Sequence, residues 1–289
     1  MSFRTFAMKA LSFIPDKMYL HFMYRLKSHQ ALNLKNPQTY NEKLQWLKLY
    51  NRKPEYVQMV DKYEVKKYIA DTIGDKYLIK TLGVYNSFDE IDFDELPNRF
   101  VLKCTHDSGS VVFCHSKSDF DKQKAKRKLQ AKQRTNGYYY GREWPYKDVK
   151  PRIIAEEFLD MESEENAEYK MFCFDGNVKY ALVCTGLGHS AQRTNDFFDK
   201  DFNHLDVIKG LPNTKKVLKK TEAYDEIVEL SEKLSVNIPS IRVDFYVIDG
   251  RVYFSELTFF HESGFYPWHP AEFDTILGNE IILPTKTKD

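Results

Sequence analysis

What the sequence lacks narrows it first. Neither sign of charge is in excess: 43 Lys and Arg stand against 42 Asp and Glu in 289 residues, a formal net charge of +1. There is thus no whole-molecule attraction to nucleic acid. No uninterrupted apolar run approaches the roughly 18–20 residues of a membrane span. Cysteine is scarce, and Cys104, Cys114, Cys173 and Cys184 make no C-x-x-C pair and have no histidine at ligand spacing. A zinc site is therefore disfavoured. Three of the four lie in apolar strand-like runs, which points to reduced thiols in a cytosolic protein. No G-K-[ST] opens a helix, so there is no Walker loop. Gly186-Leu187-Gly188 alone is too little for a dinucleotide fingerprint. Internal repeats and low-complexity linkers are absent as well.

What is present describes a globular protein, with 42% hydrophobic and 29% charged residues. The length suits one large domain or two closely packed ones. Aromatics reach 15%, with 19 Tyr and 21 Phe, which reads as a Tyr/Phe-rich core, with a carbohydrate-binding face as the alternative. The N-terminal stretch alternates Phe3, Phe6, Leu11, Phe13 and Ile14 with Arg4 and Lys9. Met18, Leu20, Phe22 and Met23 follow beside Arg25 and Lys27. It lacks the continuous apolar region and cleavage site of a signal peptide. A helix docked on the core is the preferred reading, and contact with an anionic bilayer surface is the other.

Residues 1 to about 60 read as helical. Thr39 and Glu42 form a capping box ahead of Leu44, Leu47 and Leu49, and Asp61 with Glu64 offers a similar start. Val65, Tyr68, Ile69 and Ile73 then share a helical face that Gly74 ends. Strand candidates are YLIKTLGVY, RFVLKCT with its returning partner VVFCH, and RIIAEEFL. EYKMFCF and VKYALVC flank a hairpin turn at Asp175-Gly176-Asn177, and IRVDFYV and VYFSELT flank Asp249-Gly250. Ser118 with Asp121 opens the basic KQKAKRKLQAKQR, with Ala125, Leu129 and Ala131 to bury. This is a solvated helix or a mobile lid, or, as the sharper reading, a polyanion site. A helix near 221–235 has Thr221 as its expected cap and Ala223, Ile227, Leu230 and Leu234 as its buried stripe. Hairpins with helices between them give an α+β protein with largely antiparallel sheets.

Two segments carry chemistry. In LKCTHDSGSVV, Lys103 ends a strand and Ser108, Gly109 and Ser110 follow in a tight loop. Gly109 permits positive φ, so loop N–H groups can face an anion. A short hairpin explains the same residues. In IRVDFYVIDGRVYFSELT, an even pairing register gathers Arg242, Asp244 and Glu256 on one face. An odd register scatters charge over an apolar hairpin, so the even one is preferred. Two carboxylates and a guanidinium suit Mg²⁺ and a transferring phosphoryl group. An ion pair bridging two strands is the structural alternative.

The ordered set DKYEVKKYIADTIG, FVLKCTHDSG, IIAEEFL, EYKMFCFDG and IRVDFY…FSELTFF resembles the ATP-grasp superfamily. More narrowly it resembles the TupA-like branch, named for teichuronopeptide biosynthesis. The likeness runs from about residue 35 to the end, through NPQTYNEKLQWLK, LPNRFVLKCTHDSGS and FSELTFFHESGF. It implies an ATP-grasp fold divided at 1–60 (helical), 61–98 (α/β), 99–160 (lid) and 161–289 (central, with the metal and substrate site). Lys62 and Lys103 match the lysines that hold ATP phosphates, and His106 to Ser110 the flexible loop that closes over them. Glu156, Glu157, Phe158 and Leu159 match the adenine hinge, the last two using backbone groups. Lys170 matches a further phosphate-side lysine. Asp244 and Glu256 match the metal carboxylates and Arg242 the arginine beside them. Glu256-Leu257-Thr258 departs from the usual Glu-x-Asn, which puts a second metal position in doubt, although the TupA-like branch tends to carry Thr there. Arg193 could hold a substrate carboxylate and His261, Ser263 and Gly264 line the acceptor pocket, or these form a surface loop and a turn.

The resemblance implies ATP and Mg²⁺ as cofactors. A cytoplasmic enzyme is expected, and the basic N-terminus is compatible with peripheral work near a lipid-linked precursor at the inner membrane surface. The enzyme that the resemblance implies would phosphorylate a uronic-acid carboxyl of a bacterial surface polysaccharide or its lipid-linked precursor, and an amino acid or small amine would displace the phosphate. The rivals are a glycosyltransferase of the same pathway and a non-catalytic polysaccharide-assembly protein. Lys103→Ala and Asp244→Asn are expected to abolish turnover with the fold intact.

Overall fold

A computed structural model describes residues 13–188 and 190–286. The N-terminal alternation from Phe3 to Leu11 lies outside the described residues. Two compact units emerge. The first takes Lys53–Tyr68 and Leu78–Leu159, and the second takes Pro15–Arg52, Ile69–Tyr77 and the chain from Asp160 onward. Each unit is thus assembled from interleaved segments.

The first unit is built on a four-stranded antiparallel sheet of β1 (Thr81–Tyr85), β2 (Phe100–Cys104), β3 (Val112–Cys114) and β4 (Ile153–Glu157), in the order β1-β4-β2-β3. Alternation along β2 sends Phe100, Leu102 and Cys104 to one face, where they join Ile153, Ala155 and Phe88 in a core. The basic segment closes that core as a helix, Lys122–Gln133. Asp121 caps it by accepting from Lys124 N at 2.8 Å, and Ala125 and Leu129 supply its buried stripe. Ala131, expected inside, is exposed, because it lies off the 125/129 line of the helix. Two shorter helices of this unit are Glu55–Val60 and Tyr138–Gly141.

The second unit carries a six-stranded antiparallel sheet in the order β10-β9-β5-β6-β7-β8. Its strands are β5 (Ala167–Phe174), β6 (Asn177–Thr185), β7 (Thr194–Asp199), β8 (His204–Leu205), β9 (Ile241–Ile248) and β10 (Arg251–Thr258). Helix α1 (Asp16–Ser28) and helix α2 (Tyr40–Tyr50) belong here, as do Ala223–Leu234 and Glu272–Glu280. The α2 capping box forms as read: Thr39 accepts from Glu42 N, and the Glu42 carboxylate reaches back to the Thr39 N–H. Thr221, expected to cap Ala223–Leu234, does not. Glu222 takes the cap position without a side-chain bond, and the Thr221 hydroxyl lies 3.2 Å from Tyr169 Oη instead. Ala223, Ile227, Leu230 and Leu234 are buried as expected. One more helix, Val65–Ile73, ends at Gly74, whose φ is +107°.

The aromatic wealth is largely core. Phe172, Phe197, Trp268 and Phe273 meet edge to face or tilted, with centroids 5.4–6.1 Å apart. All four cysteines are free and buried. Among the described residues no helix is long and apolar enough to cross a membrane.

Candidate functional site

In the first unit the alternation that buries Leu102 turns Lys103 to the opposite face of the sheet. Cross-strand pairing sets Glu156 opposite Val101, diagonal to Lys103 and on that same face. The Glu156 carboxylate is 3% exposed and held by two ammonium groups, Lys103 Nζ at 2.5 Å and Lys66 Nζ at 2.6 Å. Burial pushes this carboxyl up, but the attraction of Lys103 and Lys66 outweighs it and holds the group below the usual carboxylate range. Lys66 also donates to Ile79 O (2.6 Å) and Thr81 Oγ1 (2.8 Å). Burial lowers its own pKa.

Lys62 donates its backbone N–H to Thr105 O (3.0 Å) and its ammonium to Asp107 O (2.5 Å), so it grips the base of the small-residue loop. That loop is pinned at three places. Ser110 Oγ accepts from Cys104 N (2.8 Å) and donates to Asp107 Oδ1 (2.5 Å), while His106 Nε2 sits 3.1 Å from Thr135 O. Only Ser108 and Gly109 form an exposed tip, with Lys132 Nζ 3.3 Å from Ser108 O. Gly109 has φ +83°, and an added Cβ would meet Lys132 Nζ at an ordinary 4.0 Å, so backbone conformation and not crowding demands glycine there. Glu157 is exposed and its N–H bonds Lys80 O at 3.0 Å. Phe158 packs against His115 and under the Arg99 guanidinium, 5.0 and 4.1 Å away, and Leu159 is 9% exposed.

In the second unit the decisive feature is a bulge. The Asp249-Gly250 turn, both residues at positive φ, closes the hairpin with Ile248 opposite Arg251, an odd register continuing to Phe245 opposite Phe254. Ser255 is then extra, and beyond it Glu256 pairs with Asp244 and Thr258 with Arg242. The even register expected from the charge pattern thus holds past the bulge, while the turn enforces the odd one before it. On β5, Lys170 pairs with Asp244, and Glu168 lies two residues away on the same face.

These side chains form one network. Arg242 makes a two-pronged bond to Asp244, Nε to Oδ1 and Nη2 to Oδ2, both 2.7 Å. Its Nη2 also reaches Thr258 Oγ1 (3.1 Å) and Glu256 Oε1 (3.4 Å). Lys170 Nζ lies 3.1 Å from Asp244 Oδ2 and 3.0 Å from Glu168 Oε2. Burial works against both cations, yet the carboxylates, Asp244 foremost, raise their pKa values, so both stay charged. Glu168, also buried, has its pKa raised by that burial.

Arg242 Nη1 also lies 2.6 Å from His261 Nδ1. Arginine can only donate, so this imidazole accepts at Nδ1 and carries its proton on Nε2, which has no hydrogen-bond partner among the described residues. Burial first, then Arg242, Lys209 and Lys170, push the His261 pKa well below its ordinary value and keep it neutral. The residues after it turn left-handed: Glu262, Ser263 and Gly264 have φ of 46°, 55° and 59°. Buried α2 side chains fix that turn, Gln45 Nε2 donating to Ser263 O (3.0 Å) and Gly264 O (2.7 Å), Lys48 Nζ to Ser263 O (2.8 Å). Ser263 and Gly264 therefore shape the chain beside the network, and Arg193 stands exposed just before β7.

The donor set fits Mg²⁺ in one way. Glu256 is one-third exposed, whereas Asp244 is fully buried and each of its oxygens already holds a cation. Mg²⁺ commonly binds through one or two carboxylates, completing its shell with water and phosphate oxygens. Glu256 suits that arrangement, with Asp244 beside it, and no group of three or more His, Cys, Asp or Glu gathers for a metal among the described residues. Sequence reasoning missed Lys66, Glu168, Gln45 and Lys48. Glu168 was findable by strand alternation from Lys170, and Gln45 and Lys48 as polar residues beside the buried Leu44 and Leu47.

The family model for TupA-like ATP-grasp proteins matches residues 42–282. The chain belongs to the TupA-like ATP-grasp family. No curated protein matches the sequence. Solved structures similar to this ATP-grasp chain include the D-alanine–D-alanine ligase of Bacillus anthracis complexed with ATP. That match has 17% identity and a TM-score of 0.41, covering 69% of this chain and 54% of that one. The Helicobacter pylori D-alanine–D-alanine ligase matches at 16% identity and a TM-score of 0.43, over 84% and 69% of the two chains. The ATP-grasp ligase PsnB, in complex with a precursor variant, Mg and ADP, matches at 13% identity and 0.45, over 96% and 72%. The chain spans little more than half the length of the first of these. All three likenesses are distant.

Proposed function

We propose that this ATP-grasp protein is a Mg-ATP-dependent carboxylate–amine ligase of bacterial surface-polysaccharide synthesis. It joins an amino acid or small amine to a uronic-acid carboxyl. Family membership supports the ligase class, and the observation that carries the mechanism is Arg242 held by both oxygens of Asp244 beside the part-exposed Glu256. A guanidinium fixed in this way is preorganised and needs no rearrangement as negative charge spreads in the transition state. Bound Mg-ATP would supply the phosphoryl group that activates the carboxyl. Lys62, Lys66, Lys103 and Lys170 neutralise phosphate charge in this reading, and Glu256 with Asp244 beside it holds the metal. Backbone groups of Phe158 and Leu159 receive adenine, and the Ser108-Gly109 tip covers the phosphates. His261 and Arg193 stand on the acceptor side. A cytoplasmic location follows from the need for ATP.

The test uses the purified chain with Mg-ATP, a panel of uronic acids and a panel of amino acids. Phosphate should appear only when acid and amine are both present, and Mg-ATP should raise the melting temperature. Stabilisation by a UDP-sugar with no response to ATP contradicts the proposal in favour of a glycosyltransferase. Indifference to every nucleotide leaves a non-catalytic assembly protein.

A further inference from the structure

The chain's charge balance hides a strong local asymmetry. The first 41 residues contain Arg4, Lys9, Lys17, Arg25, Lys27 and Lys35 but a single acidic residue, Asp16. Removing these six and one from the totals of 43 and 42 leaves 37 basic against 41 acidic residues in the rest. Asp16 is itself paired with Arg52 at 2.8 Å. Helix α1, in the middle of this basic segment, is anchored by one face only: Tyr19, Leu20, Met23 and Tyr24 are buried.

Its opposite side is not a polar face. Met18, Phe22 and Leu26, spaced four apart, are 64%, 62% and 54% exposed. On an α-helix they stack into a ridge about 12 Å long. Lys17, His21 and Arg25, one position earlier in each turn, form an exposed ridge alongside it. An apolar row next to a cationic row, on a helix held firmly from behind, is the pattern of a surface that settles into the headgroup layer of a bilayer. A second copy of the chain fits this ridge less well. A symmetric dimer through this face would bring Lys17 and Arg25 against the same cations of the other copy.

We propose that α1 is a membrane-docking surface selective for anionic lipid, with Met18, Phe22 and Leu26 entering the acyl boundary and Lys17 and Arg25 contacting headgroups. This stands independently of the reaction proposed above. The test is co-sedimentation of the full chain with vesicles of phosphatidylcholine alone, or of phosphatidylcholine with phosphatidylglycerol as the minor component. Binding is expected only with phosphatidylglycerol and should weaken as salt rises. Paired substitution Phe22→Asp with Leu26→Asp, or Lys17→Glu with Arg25→Glu, should each reduce it about ten-fold or more. Circular dichroism should be unchanged, because all four side chains are exposed. Absence of vesicle binding overturns the proposal, and so does equal binding to both lipids. A wild-type dimer that Phe22→Asp converts to monomer, without vesicle binding, assigns the ridge to a second copy and overturns it too.

Discussion

Asp244 and Glu256 carry the same charge and face each other across β9 and β10, yet their substitution should have different consequences. Asp244 is fully buried and is the shared counter-ion of Arg242, through two 2.7 Å bonds, and of Lys170 at 3.1 Å. Asp244→Asn removes that charge and turns an NH₂ donor toward groups that can only donate. Removing one partner from a buried ion pair costs about 3–5 kcal/mol, and the substitution should fall in that range. Glu256 is one-third exposed and its contact with Arg242 is 3.4 Å, so water screens it and Glu256→Gln should cost at most about 1 kcal/mol. Both variants should lose ATP-dependent phosphate release. Urea unfolding followed by tryptophan fluorescence separates them. The sequence-based expectation that Asp244→Asn leaves the fold intact is thereby revised. Equal stability of the two variants would falsify the view of Asp244 as a buried counter-ion first and a metal-side group second.

Four further outcomes follow from the network and its supports. Lys103→Ala should abolish phosphate release while keeping the fold, because Lys66 still holds Glu156, as circular dichroism and activity together would show. The Glu156 carboxyl is depressed in the fold, so its stabilising effect is complete above the ordinary value of 4.5 and is lost as pH falls below it. Glu156→Gln should remove that acid-side loss in thermal melts across pH. His261 is neutral when folded and protonates near 6.5 when unfolded, so stability should fall as pH drops below 6.5, by about 1.4 kcal/mol per pH unit. His261→Gln, which keeps an acceptor for Arg242, should flatten that slope in urea melts. Gly264→Ala places a Cβ 2.5 Å from Gln45 Nε2 and 3.0 Å from Leu44 Cβ at a φ of 59°. It should destabilise by about 1–3 kcal/mol in the same melts.

Local rules made much of the fold legible in the sequence. The Thr39–Glu42 box, the turns at Asp175-Gly176 and Asp249-Gly250, and the stripe of Ala223, Ile227, Leu230 and Leu234 are determined by neighbours in the chain. Thr221 was misread because a distant partner, Tyr169, competes for its hydroxyl. The Arg242–Asp244–Glu256 cluster could be read from charge and alternation, but only by assuming one register throughout. The Ser255 bulge reconciles the odd register of a two-residue turn with the even one the charges need, and no residue pattern announced it. Lys66 escaped notice because its importance comes from pairing with Glu156, a property of the folded sheet, whereas Glu168, two residues from its partner Lys170 on one strand, was open to reading by alternation.

The central claim is that a carboxylate is activated by phosphoryl transfer, and the fate of its oxygen tests this most directly. A uronic acid from the active panel, labelled with heavy oxygen in its carboxyl group, is turned over with Mg-ATP and an amine. Mass spectrometry then reads the released phosphate. One labelled oxygen per phosphate is the expected result, since the carboxyl oxygen leaves with the phosphoryl group when the amine displaces it. Product formed with unlabelled phosphate would contradict the account.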